Sequence, residues 1–166
     1  EHVQRSRVSL QRWCEHAEIP ITLRVDESAF GEGRLVRVDR ELHDPLGDVT
    51  GLDAVTLVLF YHDAVWMEVD RAAMNAAVFR ALRTGGRYVV ADHIAREGAG
   101  LEDVKTLHRI DPAIVRAEVE AAGFRFVSEA SFLRTPEDTR DWSTSPSTAG
   151  ERRGTSDRFV YVFERP

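Results

Sequence analysis

The run VTLVLFY at residues 55–61 is apolar without a break and rich in β-branched side chains. A strand with one solvated face alternates apolar and polar positions. A run with no polar position suits a strand covered on both faces, as in a parallel sheet between helices. RYVVAD at 87–92 has the same character. Between them, Val69, Ala72, Ala76, Phe79 and Leu82 recur at helical spacing over 64–83, and Thr84-Gly85-Gly86 has the form of a left-handed helix cap. Strand, helix, glycine pair and strand make a βαβ crossover, right-handed by the general rule for such units. The expectation is therefore an α/β sheet in which 55–61 and 87–92 run in parallel.

The rest of the chain is read around that unit. VQRSRVSLQRWCEHAE (3–18) carries Val3, Leu10, Trp13 and Ala17 near one helical face, and Pro20 stops the helix. ITLRV (21–25) and RLVRV (34–38) read as strands around a turn containing Gly31 and Gly33. A short helical stretch lies at 101–107. Asp111-Pro112 opens a further helix as N-cap and first residue, and Gly123 closes it. FRFVSEASFL (124–133) and RFVYVFE (158–164) alternate, which predicts antiparallel pairing at the end of a mixed sheet. The connection at 134–157 is long for a compact domain, and loops of that kind are functional or mobile. Its Asp157-Arg158 and Gly154 suit a segment ordered over a site.

Composition narrows the function classes. A length of 166 residues suits one domain over 1–166, with an atypical part at 1–50. The net charge of -6 does not favour a nucleic-acid backbone or an anionic membrane surface as partner. The single cysteine, Cys14, excludes an internal disulfide and a thiolate zinc site. No apolar run approaches the roughly 20 residues a membrane span needs.

In an open α/β sheet, ligands bind beyond the carboxyl ends of the strands. The first buried strand ends in Tyr61-His62-Asp63 and the second in Asp92-His93. His108-Arg109 precedes the Asp111 helix start and falls on the same rim. Two readings stand for each. Asp63 is either a helix cap or a site carboxylate, and His93 either bonds a loop or faces a ligand. Arg109 either holds a substrate anion through its bidentate fork or pairs with Asp111 or Glu102. Imidazoles and carboxylates also suit a metal, so a metal-dependent enzyme using His62, His93 and His108 is an alternative, although no local motif such as H-E-x-x-H is present.

The order GLDAVTLVLFYHD, VFRALRTGGRYVVADH, VRAEVEAAGFRFVSE and SDRFVYVFERP resembles the class I S-adenosylmethionine-dependent methyltransferases over 51–166. Leu82-Arg83-Thr84-Gly85-Gly86 stands where the family has L-x-P-G-G, with threonine for proline, and Ala122-Gly123-Phe124 where it has A-G-F. The YHD, ADH, LHRID and RGTSDRF segments together are similar to a poorly characterised bacterial group within that family, some of whose members are exported. The resemblance implies a Rossmann-like mixed sheet with helices on both faces and a terminal antiparallel pair. It implies methyl transfer from S-adenosylmethionine to a small-molecule acceptor. His62 would be general base, oriented by Asp63 or Asp92, with His93 beside it. His108 and Arg109 would hold an anionic group of the acceptor, Tyr61 and Trp66 would flank the cofactor sulfonium or the acceptor, and Phe60 would join them in binding the cofactor. The family's G-x-G-x-G loop is not found, because Gly31-Glu32-Gly33 lies in a turn with no helix after it. Asp26 or Glu27 would stand for the ribose-binding acid. The chain is accordingly expected to be the C-terminal part of a larger domain and to bind the cofactor weakly or not at all by itself. A non-catalytic remnant that binds a small molecule or a partner is the other alternative.

Overall fold

A computed structural model describes residues 40–166. The helix expected at 3–18, the strands expected at 21–25 and 34–38, and Cys14, Asp26, Glu27, Gly31 and Gly33 lie outside the described residues, as does most of the atypical part at 1–50. Among the described residues, four strands make one mixed sheet: β1 (Leu52–Val58), β2 (Leu82–His93), β3 (Arg125–Ala130) and β4 (Arg158–Glu164), in the order β1-β2-β4-β3. β1 and β2 are parallel, with Val55 opposite Tyr88 and Val58 opposite Ala91. β4 runs antiparallel to both β2 and β3. The crossover and the terminal antiparallel pair thus form as their patterns predict.

The first strand departs from its expected bounds. It ends at Val58, and its residues alternate in burial, with Val58 58% exposed. The apolar run 55–61 is therefore shared between two elements. Leu59 takes a left-handed φ of 52° and donates its N–H to the Ala91 carbonyl at 2.8 Å. That residue turns the chain out of the strand, and α1 (Tyr61–Trp66) follows at once. The single helix expected over 64–83 is likewise two. α1 is followed by α2 (Arg71–Ala81), and Asp70 caps α2 by accepting from the Ala73 N–H at 2.9 Å.

Nor do Thr84-Gly85-Gly86 cap a helix. Leu82 is already extended and pairs with Leu52, and the register then jumps to Ala54 opposite Arg87. The intervening residues bulge out of the strand, with Gly85 at φ 75°. Gly86 has to be glycine because a Cβ there would lie 2.8 Å from the Arg83 carbonyl oxygen.

Two more helices complete the unit, α3 (Glu102–Leu107) and α4 (Pro112–Ala121). Asp111 caps α4 through the Ala113 N–H, as its sequence predicts. α2 and α4 pack together and against the sheet. Met74 and Val78 of α2, Val115 and Val119 of α4, Tyr88 and Val90 of β2, and Phe159 and Phe163 of β4 form one buried cluster. Full burial of an aliphatic or phenyl side chain is worth about 1.5–3 kcal/mol, so this cluster is the main source of stability. It leaves the carboxyl ends of β1 and β2 free to carry polar groups.

The connection 131–157 contains one 3-10 turn, Gly150–Arg152. Two buried carboxylates fasten it. Asp157 accepts from Arg134 Nε, Arg140 Nη2 and the Thr135 N–H. Asp138 accepts from Trp142 Nε1 and from the Asp157 and Arg140 N–H groups. A segment rich in polar residues is thereby held in a defined path beside the ends of β2 and β4.

Candidate functional site

Three chain segments deliver the ionisable groups of the rim. The turn of α1 after β1 supplies His62 and Asp63, both buried at 5% and 7% exposure. The end of β2 supplies Asp92 and His93. The turn after α3 supplies His108, which closes that helix in a left-handed conformation (φ 50°, ψ 49°). Asp92 is fully buried and organises the group. Its Oδ2 accepts the His62 N–H at 2.9 Å, one of the unpaired donors at the start of α1. Its Oδ1 lies 2.6 Å from His62 Nδ1 and accepts the His93 N–H at 2.8 Å.

An ionised carboxylate only accepts, so His62 Nδ1 carries the proton and Nε2 is the free working nitrogen. Burial pulls the His62 pKa down, but the Asp92 carboxylate outweighs it, with help from Asp63, and leaves it above the ordinary imidazole value. Burial likewise pushes Asp92 up, and His62 more than compensates, holding Asp92 below the usual carboxylate range.

Around His62 Nε2 the remaining groups close in. Asp63 Oδ1 lies 3.3 Å from His62 Nε2 and 3.7 Å from His108 Nδ1. That oxygen is buried and accepts no hydrogen bond from the described residues. The His62 ring centroid is 5.7 Å from that of His93 and 5.6 Å from that of His108. His93 Nδ1 sits 2.7 Å from Ser156 Oγ. Burial lowers the His93 pKa to about 4, and His62, Arg109 and Arg158 add to this against the pull of Asp92. The structure therefore brings His62, Asp63, His93 and His108 together with Asp92 at the carboxyl ends of the parallel strands. Chemically the group offers one imidazole paired to a buried carboxylate, one neutral imidazole and one buried carboxylate oxygen without a hydrogen bond from the described residues.

Solved structures share this architecture. A methyltransferase of Mesorhizobium loti that depends on S-adenosylmethionine superposes with a TM-score of 0.53 at 14% identity, over 84% of this chain and 73% of that one. A second such enzyme, from Methanosarcina mazei, gives 0.50 at 12% identity over 75% and 65%. The cyclase SpnF gives 0.52 at 12% identity over 78% and 55%. The fold is that of the class I S-adenosylmethionine-dependent methyltransferases. The chain spans less than two-thirds of the length of the last two neighbours. No family model matches the chain. No curated protein matches it either. Since one neighbour with this methyltransferase fold is a cyclase, the fold does not by itself choose a reaction.

Two of the expected contacts with ligand are not available at this rim. Arg109 is fully buried, and its fork is spent on Asp138: Nη1 donates to Oδ2 at 2.8 Å and Nη2 to Oδ1 at 3.2 Å. Its Nε donates to the Trp142 carbonyl and Nη1 also to the Ile94 carbonyl, both at 3.0 Å. It anchors the 131–157 loop and has no fork left for an acceptor anion. Tyr61 turns into the helix layer. Its hydroxyl donates to Glu118 at 2.8 Å and accepts from Asn75, and Glu118 is gripped in turn by Arg71. The Tyr61 hydroxyl is thus committed on the side of the helix layer and not at the rim. Phe60 and Trp66 are half-buried against the core.

A groove of about 560 Å³ between α1 and α3 is lined by Val65, Val69, Leu101 and Val104 among others, and by none of the three imidazoles. The sequence pointed to Asp92 through its place at a strand end. Ser156 and Asp138 carried no comparable signal, because both lie in the polar connection, where neither periodicity nor a turn motif fixes a position.

Proposed function

We propose that this protein transfers a methyl group from S-adenosylmethionine to a small-molecule acceptor at the rim formed by His62, Asp63, Asp92, His93 and His108. The observation that carries this reading is the Asp92–His62 pair, with a 2.6 Å contact, at the carboxyl ends of the parallel strands of a methyltransferase fold. S-adenosylmethionine, when bound, supplies an electrophilic methyl carbon on a sulfonium that leaves as a thioether. His62 Nε2 would take the proton of the acceptor's oxygen or nitrogen. Asp92 keeps the proton on Nδ1 and stabilises the imidazolium that forms. A base positioned in this way contributes about 10²–10⁴ in rate.

The described residues fit the acceptor side of such a site better than the cofactor side. Phe60 and Trp66 remain the aromatic candidates beside the sulfonium, whereas Tyr61 is committed to Glu118 and Asn75. The ribose-acid candidates Asp26 and Glu27 lie outside the described residues.

The test is transfer of labelled methyl from S-adenosylmethionine at millimolar concentration to a panel of phenols, amines, thiols and carboxylic acids. The expected result is transfer to one class, lowered about 10²–10⁴-fold by His62→Gln with little change in the cofactor's KM. Absence of transfer to every class, together with no calorimetric binding of S-adenosylhomocysteine at millimolar concentration, overturns the reading.

A further inference from the structure

We propose that His62 Nε2, Asp63 Oδ1 and His108 Nδ1 form a binding site for one divalent first-row transition-metal ion of the zinc or iron class. The donor set is two imidazole nitrogens and one carboxylate oxygen, the combination that suits those ions. One donor atom from each of the three residues lies within 4.8 Å of the others. Bonds of about 2.0–2.2 Å in a tetrahedral arrangement place neighbouring donors about 3.3–3.5 Å apart. The His62–Asp63 separation of 3.3 Å is already at that spacing, and the His108–Asp63 separation of 3.7 Å is close to it. His108 is the most exposed of the three side chains, at 24%, and has the most room to close the remaining gap.

Two independent features point to a ligand. The first is Asp63 itself. Its side chain is 90% removed from solvent, and its Oδ1 has no hydrogen-bond donor among the described residues although it faces two imidazoles. A buried acceptor left unpaired is costly, and a cation at this point removes the cost. The second is the outer contact of His62. A metal-ligating imidazole typically donates its other N–H to a carboxylate, which fixes the tautomer and aims the lone pair. Asp92 does this to Nδ1 at 2.6 Å, so the Nε2 lone pair is directed at the space shared with Asp63 and His108.

The structure also alters the metal alternative read from the sequence. The third ligand is Asp63 and not His93, which is absent from the donor cluster and has its Nδ1 against Ser156. Three protein ligands leave at least one position open, so the ion would take a water or the oxygen of a small acceptor. This inference does not rest on methyl transfer. His62 Nε2 cannot hold an ion and accept a proton at once, so the two uses of that nitrogen are measured separately.

The experiment is calorimetric titration of chelator-treated protein with Zn²⁺, in the absence of S-adenosylmethionine, with Co²⁺ absorption as a second readout of coordination geometry. One ion per chain is expected. Asp63→Ala and His108→Ala should each weaken Zn²⁺ binding at least tenfold. Asp92→Asn should weaken it about 10–100-fold by releasing the orienting contact. His43→Ala, at an exposed histidine outside the donor group, should leave it unchanged. Circular dichroism of each variant separates loss of the site from loss of the fold. No binding to the wild-type protein, or binding that Asp63→Ala and His108→Ala leave intact in folded variants, overturns the proposal. Binding of S-adenosylhomocysteine and methyl transfer are measured independently, so failure of one reading leaves the other standing.

Discussion

Replacing Asp138 by alanine is expected to cost the protein about 3–5 kcal/mol, the range for breaking a buried ion pair from one side. The magnitude follows from what the change leaves behind. The Arg109 guanidinium has no solvent exposure, and the Asp138 side chain is only 1% exposed. Without the carboxylate, Arg109 keeps the Trp142 and Ile94 carbonyls and the Trp142 ring, whose centroid is 4.8 Å from Cζ. None of these neutralises its charge. Three further donors, Trp142 Nε1 and the N–H groups of Asp157 and Arg140, lose their acceptor at the same time. For a domain of this length about 1 kcal/mol corresponds to roughly 2–4 °C, so the midpoint should fall by roughly 6–20 °C. Thermal and urea melts of the wild type, Asp138→Ala, Arg109→Met and the double variant measure it. The double variant should lose much less than the sum of the singles, because it leaves no unpaired buried charge. A loss under about 1 kcal/mol for Asp138→Ala, or additive singles, would mean that Arg109 reaches solvent and is free to meet an acceptor after all.

Three other outcomes can be measured on the same protein. His93 has a folded pKa lowered to about 4 from 6.5, so its neutral form contributes stability that is present above about 6.5 and lost as pH falls toward 4. The limit is roughly 3 kcal/mol, at about 1.4 kcal/mol per unit, and His93→Asn should flatten urea-midpoint curves in that window. A steep curve retained in His93→Asn would assign the acid loss to other groups. Gly123→Ala should destabilise by about 1 kcal/mol or more, since φ is 103° and the new Cβ would sit 3.1 Å from the Phe79 ring; an unchanged melting temperature would contradict this. Asp70→Ala removes the cap on the Ala73 N–H and should cost about 0.5–2 kcal/mol in urea melts, whereas Asp70→Ser should recover most of it.

The fold was most legible where β-branched and aromatic residues run between charged ends. RFVYVFE read as a strand over 158–164 is β4 to the residue, with Arg158 and Glu164 bounding a run that pairs with β2 on one edge and β3 on the other. Asp111-Pro112 was legible for a local reason, since both residues act on the first turn of the helix they open. The continuous run VTLVLFY was less so. An unbroken apolar stretch has no period, and nothing in it marks the point at which the strand ends and helical residues begin to face the same core. Leu59 makes that change in one left-handed residue, which leucine rarely adopts and composition does not announce. The glycine pair at 85–86 misled for a related reason. The same flexibility that caps a helix also permits a bulge, and the pairing of Leu82 with Leu52, thirty residues away in sequence, decides between them.

The rim was legible as a place before it was legible as a set of roles. The rule that ligands meet the carboxyl ends of parallel strands brought His62, His93 and His108 together, and their rings do lie near one another. The division of labour within LHRID could not follow from that rule. His108 and Arg109 are adjacent, yet the first turns toward Asp63 and the second into the 131–157 loop. The difference lies in what burial demands of each. The His108 side chain keeps 24% of its surface exposed, so its polar atoms retain access to water. A guanidinium cannot shed its charge, so an arginine is fully buried only where the chain brings a carboxylate to it. Here that carboxylate is Asp138, 29 residues further on, in a segment whose composition assigns no position to any residue. The same demand explains Asp63, whose carboxylate is buried beside two imidazoles without a donor of its own among the described residues. Arg109 shows this fold bringing a carboxylate to a buried charge, whereas Asp63 faces the His62 and His108 imidazoles, the arrangement that the proposed ion would complete.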